Sequence, residues 1–151
     1  MELNSKPSTD GVIISKYAFG RYPSYPDYNL NKTIIHEIGH WLGLYHNFQT
    51  SFSGQEGILD NNNDNVISIG ERTGDLINDT PPQNNPTFGN PYKMPTTWPY
   101  LQIGKIKYYH MYMNYMDYTD DINMFMFTSE QCMKIRRLID IYRPLLKTVM
   151  I

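Results

Sequence analysis

Residues His36–His46 read H-E-I-G-H-W-L-G-L-Y-H, and this stretch sets the expectations for the whole chain. On an α-helix, side chains four positions apart project from the same face, so the imidazoles of His36 and His40 can bind one cation. A catalytic zinc ion takes three protein ligands and keeps a fourth position open, and His46 can supply the third ligand. Gly43 lets the helix end before His46, because glycine tolerates a left-handed backbone. The stretch therefore predicts a zinc site.

Glu37 follows the first ligand, and its side chain is rotated from the ligand face by about one residue's turn. This position suits a general base that acts on the attacking water. The alternative is an exposed polar helix that carries histidines by chance. Three of the four histidines of the chain fall within these eleven residues, which favours the metal site.

The extended motif is the zinc signature of the metzincins, in which a methionine-containing turn follows. Residues 114–118 read N-Y-M-D-Y and match that turn, with Met116 as its methionine. Two further stretches restrict the match to one family of metzincins: G-D-L-I-N-D-T-P-P-Q at 74–83 and N-Y-M-D-Y-T-D-D at 114–121. Together they resemble the pappalysin (cytophagalysin) family, and the resemblance covers the second part of that family's catalytic domain.

The resemblance implies a zinc-dependent endopeptidase that acts on proteins or peptides. Met116 would form an apolar floor beneath the zinc ligands, although an ordinary core methionine is the alternative. Tyr118 matches a position at which metzincins place a hydroxyl that stabilises the developing oxyanion. In the family, the position of Asp120 and Asp121 begins the wall of the pocket that receives the substrate residue after the scissile bond. Carboxylates in this wall would favour an Arg or Lys at that substrate position. Two solvated loop acids are the alternative for this pair.

By the same resemblance, the fold class is α+β, a metzincin-like zincin with one strand of an incomplete sheet. We expect a single partial domain over residues 1–151. Its predicted parts are a loose end at 1–10, a strand plus the zinc helix at 11–46, a loop region with candidate calcium sites at 47–110, and the methionine turn with a C-terminal helix at 111–151.

Three secondary-structure elements are predicted in more detail. Gly11–Ser15 is a short apolar run without alternation, which favours a strand buried on both faces. The zinc helix should run from about Lys32 to Leu42, with Asn29 or Asn31 as its cap. The pattern T-S-E-Q at 128–131 is a capping box that opens the last helix, which should end at Pro144.

The longest segment without periodicity contains a candidate calcium loop at residues 60–71, D-N-N-N-D-N-V-I-S-I-G-E. Asn65 stands where the twelve-residue calcium loop prefers glycine. An Asn-rich solvated loop is the alternative, because loops favour these residue types anyway. The oxygen ligands would be the side chains of Asp60, Asn62, Asp64, Ser68 and Glu71 and the backbone carbonyl of Val66.

A second candidate calcium site follows from the resemblance alone. In the family, the D-T-P region binds calcium near the substrate cleft, which points to Asp79 and Thr80, with Asp75 as a further candidate. Hard cations do take carboxylate and carbonyl oxygens. The alternative is a turn that ends at proline and is capped by an Asp.

Composition limits the classes of partner. The formal net charge is −2 over 151 residues, and no Lys/Arg cluster stands out, so neither nucleic acid nor an anionic membrane is an expected partner. Cys132 is the only cysteine and cannot form an internal disulfide. The first residues carry no export signal, so either the chain is cytosolic or its signal lies outside this sequence, and the resemblance to a secreted family favours the second alternative. Because no other convincing strand precedes the zinc helix, we expect the sequence to be a fragment or a shortened gene product. The sequence does not indicate an oligomeric state.

Two other functions compete with the peptidase. One is an inactive, truncated metal-binding remnant, in which missing strands leave no edge for an extended substrate. The other is a calcium-dependent interaction module built on residues 60–71.

Overall fold

The computed structural model describes residues 10–20, 25–49, 75–93 and 99–149, and these ranges form an α+β structure. The α-helices are α1 (Lys32–Trp41) and α2 (Ser129–Tyr142). The strands are β1 (Phe88–Gly89), β2 (Tyr100–Ile103), β3 (Ile106–Tyr109) and β4 (Tyr118–Thr119). Short 3-10 helices occur at Lys16–Ala18, Pro26–Tyr28, Pro91–Lys93, Asp121–Asn123 and Pro144–Val149.

Helix α1 ends as the sequence predicts, within one residue. The N–H of Leu42 still donates to the carbonyl of Ile38 at 2.9 Å, and the chain then turns at Gly43 with a φ of 93°. A side chain at this φ would be strained, so the glycine is what allows the turn. The turn directs the chain back toward the helix, where His46 follows.

The predicted asparagine cap of α1 is wrong. Asn31 precedes the helix with a φ of 63°, and its side chain makes no cap hydrogen bond because it accepts from the N–H of Gly20 at 2.6 Å. Asp121, far along the chain, does the capping instead. Its Oδ2 accepts from the N–H groups of Leu30 and Lys32 at 2.8 and 3.2 Å. A carboxylate at this position also interacts favourably with the positive end of the helix dipole.

The predicted strand at Gly11–Ser15 is also wrong. No strand is assigned there, and the side chain of Ile13 is 99% exposed. A strand needs hydrogen-bonding neighbours, and within the described ranges no segment pairs with this one. Apolar, β-branched composition alone therefore did not produce a buried strand.

The described strands form two small sheets. β1 and β4 pair in parallel, with Phe88 opposite Tyr118. β2 and β3 form an antiparallel hairpin with Tyr100 opposite Tyr109, and Gly104 in its two-residue turn has a φ of 58°. This hairpin lies in the region that the sequence predicts to be loops.

Helix α2 begins with the predicted capping box. The N–H of Gln131 donates to Thr128 Oγ1 at 3.2 Å, and the N–H of Thr128 donates to Gln131 Oε1 at 2.9 Å. The amides of Gln131 and Asn114 also exchange hydrogen bonds at 2.8 and 3.2 Å. Both side chains are fully buried, so this network fixes the start of α2 against the segment that contains Met116.

The far end of α2 is joined to α1 through one charged cluster. Arg143 donates to both carboxylate oxygens of Asp10, at 2.8 and 3.1 Å, and its guanidinium lies 4.4 Å from the centre of the Trp41 ring. The indole N–H of Trp41 also donates to Asp10, at 2.8 Å.

Among the described helices, none is long and apolar enough to cross a membrane.

Candidate metal centre

Three imidazoles converge on one point between α1 and the turn that follows it. The Nε2 atoms of His36, His40 and His46 lie 2.9 to 3.2 Å from one another. Tetrahedral zinc with Zn–N bonds of about 2.0–2.1 Å would require ligand nitrogens about 3.3 Å apart. The donor set therefore fits a single zinc ion after a small expansion.

Hydrogen bonds on the other ring nitrogens decide which nitrogen carries the proton. His36 Nδ1 lies 2.6 Å from the carbonyl oxygen of Tyr115, and His40 Nδ1 lies 2.9 Å from that of Leu44. Because a carbonyl only accepts, each Nδ1 must be the protonated nitrogen, and each Nε2 then presents a lone pair. Two lone pairs 3.0 Å apart repel one another unless a cation lies between them.

Burial also favours the neutral form of two of these histidines, which is the form that binds a metal ion. Burial lowers the pKa of His46 to about 3, with smaller contributions from His40 and His36. Burial likewise lowers the pKa of His36, although the Tyr115 carbonyl acts in the opposite direction.

Glu37 and Tyr118 lie beside this cluster. The Tyr118 hydroxyl is 2.9 Å from His46 Nε2. Burial raises the pKa of Tyr118, and the charge of Glu37 raises it further, so the phenol stays protonated and can donate a hydrogen bond. The charge of Glu37 also raises the pKa of His36, so its carboxylate lies within electrostatic range of this histidine.

Met116 packs directly beneath the ligand helix. The side chain of Met116 is fully buried, and a Cβ added to Gly39 would lie only 2.6 Å from its sulfur. Gly39 therefore lets the methionine approach the backbone of α1 between the two ligands that the helix carries. Whether Met116 also plays the part of the family's methionine turn stays a prediction.

A pocket of about 220 Å³ opens beside His36. Asp117 lines it, and sequence reasoning did not single out this residue, although it stands inside the quoted N-Y-M-D-Y stretch. Its Oδ1 accepts from the N–H groups of Thr87 and Tyr118, and its Oδ2 accepts from Gln83. Burial nevertheless raises the pKa of Asp117 above its ordinary value. The remaining lining residues are Tyr28, Thr33, Phe88, Tyr118 and Met124.

Asp120 and Asp121 are not among the residues that line this pocket. Asp121 is buried, and its Oδ2 holds the start of α1 while its Oδ1 has no hydrogen-bond partner among the described residues. Asp120 is partly buried, and burial followed by the charge of Asp27 raises its pKa. Both charges also act on Tyr28, which lines the pocket. Their predicted part in substrate binding stays a prediction.

The second candidate calcium site is brought together only in part. Asp75 and Thr80 are buried and joined by a 2.6 Å hydrogen bond from the threonine hydroxyl to Asp75 Oδ2. Asp79 instead accepts from the N–H of Glu130 at the start of α2. Lys134 donates to the Asp75 carbonyl at 3.2 Å, and its positive charge opposes a second cation at this point. The candidate loop at 60–71 lies outside the described residues.

The fold and the site define a class of protein: an α+β protein in which three histidines, two on α1 and one shortly after it, could together hold a metal ion. The sequence profile of Peptidase_M43, described as Pregnancy-associated plasma protein-A, matches residues 8–140. The chain belongs to this family, the pappalysins, as its motifs predicted. Zinc is the metal expected for the family.

Known proteins with similar sequences are named as extracellular metalloproteases. Extracellular metalloprotease 1 of Coccidioides posadasii is 38% identical over 104 residues, which is 69% of this chain and 29% of that protein. An extracellular metalloprotease of Pyricularia oryzae is 36% identical over 114 residues, 74% of this chain and 31% of that protein. The chain thus spans about a third of the length of these relatives.

A similar solved structure is mature mirolysin of Tannerella forsythia in complex with a cleaved peptide. It is 34% identical, with a TM-score of 0.55, and the match covers 82% of this chain and 38% of mirolysin. Mirolysin in complex with compound 9 gives a TM-score of 0.56 at the same identity. Mirolysin is a metzincin, so the predicted fold relationship is confirmed at this level.

Proposed function

We propose that this chain carries the catalytic centre of a secreted, zinc-dependent endopeptidase that hydrolyses protein or peptide substrates. The observation that carries the proposal is the convergence of three Nε2 atoms. Two of them present lone pairs, because the Nδ1–H groups of His36 and His40 donate to backbone carbonyls. Such a cluster has little reason to exist without a cation. Family membership and the names of the similar proteins support the peptidase activity and the secretion.

His36, His40 and His46 would hold the zinc ion. When bound, zinc would polarise a substrate carbonyl and would lower the pKa of a water molecule from its bulk value toward neutrality. Glu37 accepts the proton of the attacking water and passes it to the leaving amine. Tyr118 donates a hydrogen bond from its hydroxyl to the oxyanion that forms on the former carbonyl and keeps its proton. Its position 2.9 Å from His46 Nε2 supports this assignment.

The pocket beside His36 would receive the side chain that follows the scissile bond. Buried Asp117 lines it, and Asp27, Asp120 and Asp121 surround its Tyr28 wall with negative charge. A buried or half-buried carboxylate is stabilised by an opposite charge, so an Arg or Lys side chain is the preferred occupant. Asp117 therefore joins Asp120 and Asp121 as a candidate residue for selecting Arg or Lys after the scissile bond.

Among the described residues, calcium binding is proposed at Asp75 and Thr80, where the cation would replace Lys134 at the Asp75 carbonyl. Their 2.6 Å hydrogen bond puts a carboxylate and a hydroxyl side by side, which are ligand types that calcium accepts. Calcium should raise the thermal unfolding temperature of the full chain, and a Thr80→Val variant should lose the effect. No calcium-dependent change in the wild type would contradict this site.

The central test compares peptide hydrolysis by the full chain in three forms. The wild type with one equivalent of zinc should cleave, whereas the chelated protein and a Glu37→Gln variant should not. The variant should still bind zinc, because Glu37 is not a ligand. Ile38→Ala is the matched control, since Ile38 neighbours Glu37 on α1 and is more than a third exposed. A Glu37→Gln variant as active as wild type would refute the assigned mechanism.

One observation favours the non-catalytic alternative. Peptidase substrates bind as extended chains along a strand edge, and within the described ranges no strand is longer than four residues. Zinc binding without hydrolysis in all three forms would support a metal-binding remnant. Hydrolysis that requires both zinc and Glu37 would exclude it.

A further inference from the structure

The three imidazoles are not held in the same way. His36 and His40 each donate from Nδ1 to a backbone carbonyl, at 2.6 and 2.9 Å. For His46, the described part of the chain offers Nδ1 no hydrogen-bond partner, and its contacts are made through Nε2 and the ring faces. The torsion that rotates a histidine ring has broad, weakly preferred minima. Something else must therefore hold this ring in the ligand orientation.

Phe48 supplies the missing contact. Its ring stacks on the His46 imidazole with centroids 4.6 Å apart and an angle of 10° between the planes. Such parallel packing restricts rotation of the imidazole out of its plane. The Phe48 ring thus orients the His46 imidazole, as the carbonyls of Tyr115 and Leu44 orient the imidazoles of His36 and His40.

The same ring also touches Tyr118. The Phe48 and Tyr118 centroids lie 4.8 Å apart at 64°, and the Tyr118 and His46 centroids lie 4.8 Å apart at 74°. His46, Phe48 and Tyr118 therefore form an aromatic triangle, in which each ring contacts the other two. Loss of the Phe48 ring would therefore allow both the His46 imidazole and the Tyr118 ring to rotate away from their present orientations.

The backbone around Phe48 is fixed independently of its ring. The N–H of Gln49 donates to the carbonyl of His46 at 3.0 Å, which closes a turn over residues 46–49. The N–H of Asn47 donates to the carbonyl of Met116 at 3.4 Å, and its side-chain amide donates to Met111 at the same distance. Replacing the ring should therefore leave the path of the chain intact.

We propose that Phe48 is a positioning residue, which holds His46 in the zinc-ligand orientation and Tyr118 against it by ring stacking. This inference rests on the proposed function, because it assumes that His46 binds zinc. It assigns no contact between Phe48 and the substrate or the ion. What matters is a flat aromatic face at position 48, so Tyr or Trp should replace Phe, and an aliphatic side chain of similar volume should not.

The test measures zinc retention and ligand geometry in Phe48→Leu and Phe48→Tyr variants of the full chain. Release of zinc to a competing chelator should be about 10-fold faster in Phe48→Leu, within the 10–100-fold range for groups that orient metal ligands. Release from Phe48→Tyr should stay close to the wild-type rate. In cobalt-substituted protein, the visible absorption bands should change for Phe48→Leu and not for Phe48→Tyr. Phe125→Leu, at a phenylalanine that is 61% exposed, is the control.

Two outcomes overturn the inference. Wild-type zinc release and an unchanged cobalt spectrum in Phe48→Leu would show that the ring does not position the ligand. Equal losses in the Leu and Tyr variants, together with lower thermal stability of the zinc-free protein, would show that Phe48 only fills space. Failure of the wild type to bind zinc at all would instead refute the proposed function, and this result is distinct from the other two.

Discussion

Substitution of Gly39 by Ala tests how the ligand helix is seated on the segment beneath it. A Cβ at this position would lie 2.6 Å from the sulfur of Met116, 3.5 Å from its methyl carbon and 3.4 Å from Phe127. Nonbonded heavy atoms attract at separations of about 3.5–4.0 Å, so the sulfur must retreat by about 1 Å. Met116 is fully buried, so its side chain can retreat only by displacing the residues packed around it. The strain must therefore be shared with the backbone of α1.

Two opposing effects determine the stability of this variant. Overpacking a buried site costs about 1–3 kcal/mol, whereas replacing Gly by Ala inside a helix gains about 1 kcal/mol. The expected loss in the free energy of unfolding is therefore about 0–2 kcal/mol, and the variant should fold.

The effect on zinc and catalysis should be larger than the effect on stability. Gly39 precedes His40, and Met116 follows Tyr115, whose carbonyl orients His36 at 2.6 Å. A displacement of about 1 Å thus acts on two ligands at once, and misplacement of this size can lower the rate of a positioned reaction about 100-fold. We expect Gly39→Ala to release zinc faster and to cleave peptides about 100-fold more slowly.

The assay is chelator competition for zinc, peptide cleavage and denaturant unfolding on the same preparations. Gly11→Ala makes the same chemical change where no atom lies within 4 Å of the added Cβ, so it should leave all three measurements unchanged. A Gly39→Ala protein with wild-type zinc retention and cleavage would refute the argument, because it would show that Met116 yields without disturbing the ligands.

Three further substitutions test the surroundings of the site. Thr128→Ala removes the cap of α2 and should lower the free energy of unfolding by about 1 kcal/mol, measured with denaturant, while Thr128→Ser should not. Asp121→Asn removes the charge at the start of α1 and should cost about 1 kcal/mol, whereas Asp120→Asn should cost clearly less. The hydrogen bonds from Arg143 lower the pKa of Asp10 below 3.8. The Asp10 carboxylate therefore stabilises the fold fully above pH 3.8, and this stabilisation is lost as the pH falls through the lowered pKa. Asp10→Asn should therefore be less stable than the wild type at neutral pH and equally stable in strong acid, as thermal unfolding at several pH values would reveal.

Local sequence patterns predicted the parts of the structure that depend on neighbouring residues. The H-E-x-x-H spacing predicted α1 and the shared face of His36 and His40, because four residues correspond to one helical turn. Gly43 predicted the end of this helix, and its φ of 93° confirms the reason. The capping box at 128–131 predicted the start of α2 for the same kind of local reason.

The predictions that failed depend on partners far away in the sequence. The run Gly11–Ser15 has strand composition, but a strand forms only where another segment supplies hydrogen bonds. The cap of α1 comes from Asp121, 89 residues after Lys32, which no pattern near Lys32 could indicate. The hairpin β2–β3 was missed although Gly104 between two apolar runs is a turn signal, because the surrounding Pro and Asn residues favoured a loop.

The ligand helix is held at three places by groups remote from it in sequence. Asp121 holds its start, the segment with Tyr115 and Met116 holds its middle, and the pair Asp10 and Arg143 holds its end through Trp41. Each of these contacts joins residues that are close only in the folded chain, so the motif specifies which atoms can bind zinc but not how they are aligned. Because about 1 Å of misalignment at a metal site has large chemical consequences, the rate of the proposed reaction should depend on these distant anchors as well as on the three histidines. The short Nε2 separations of 2.9 to 3.2 Å therefore depend on residues outside the eleven-residue motif as well as on the motif itself.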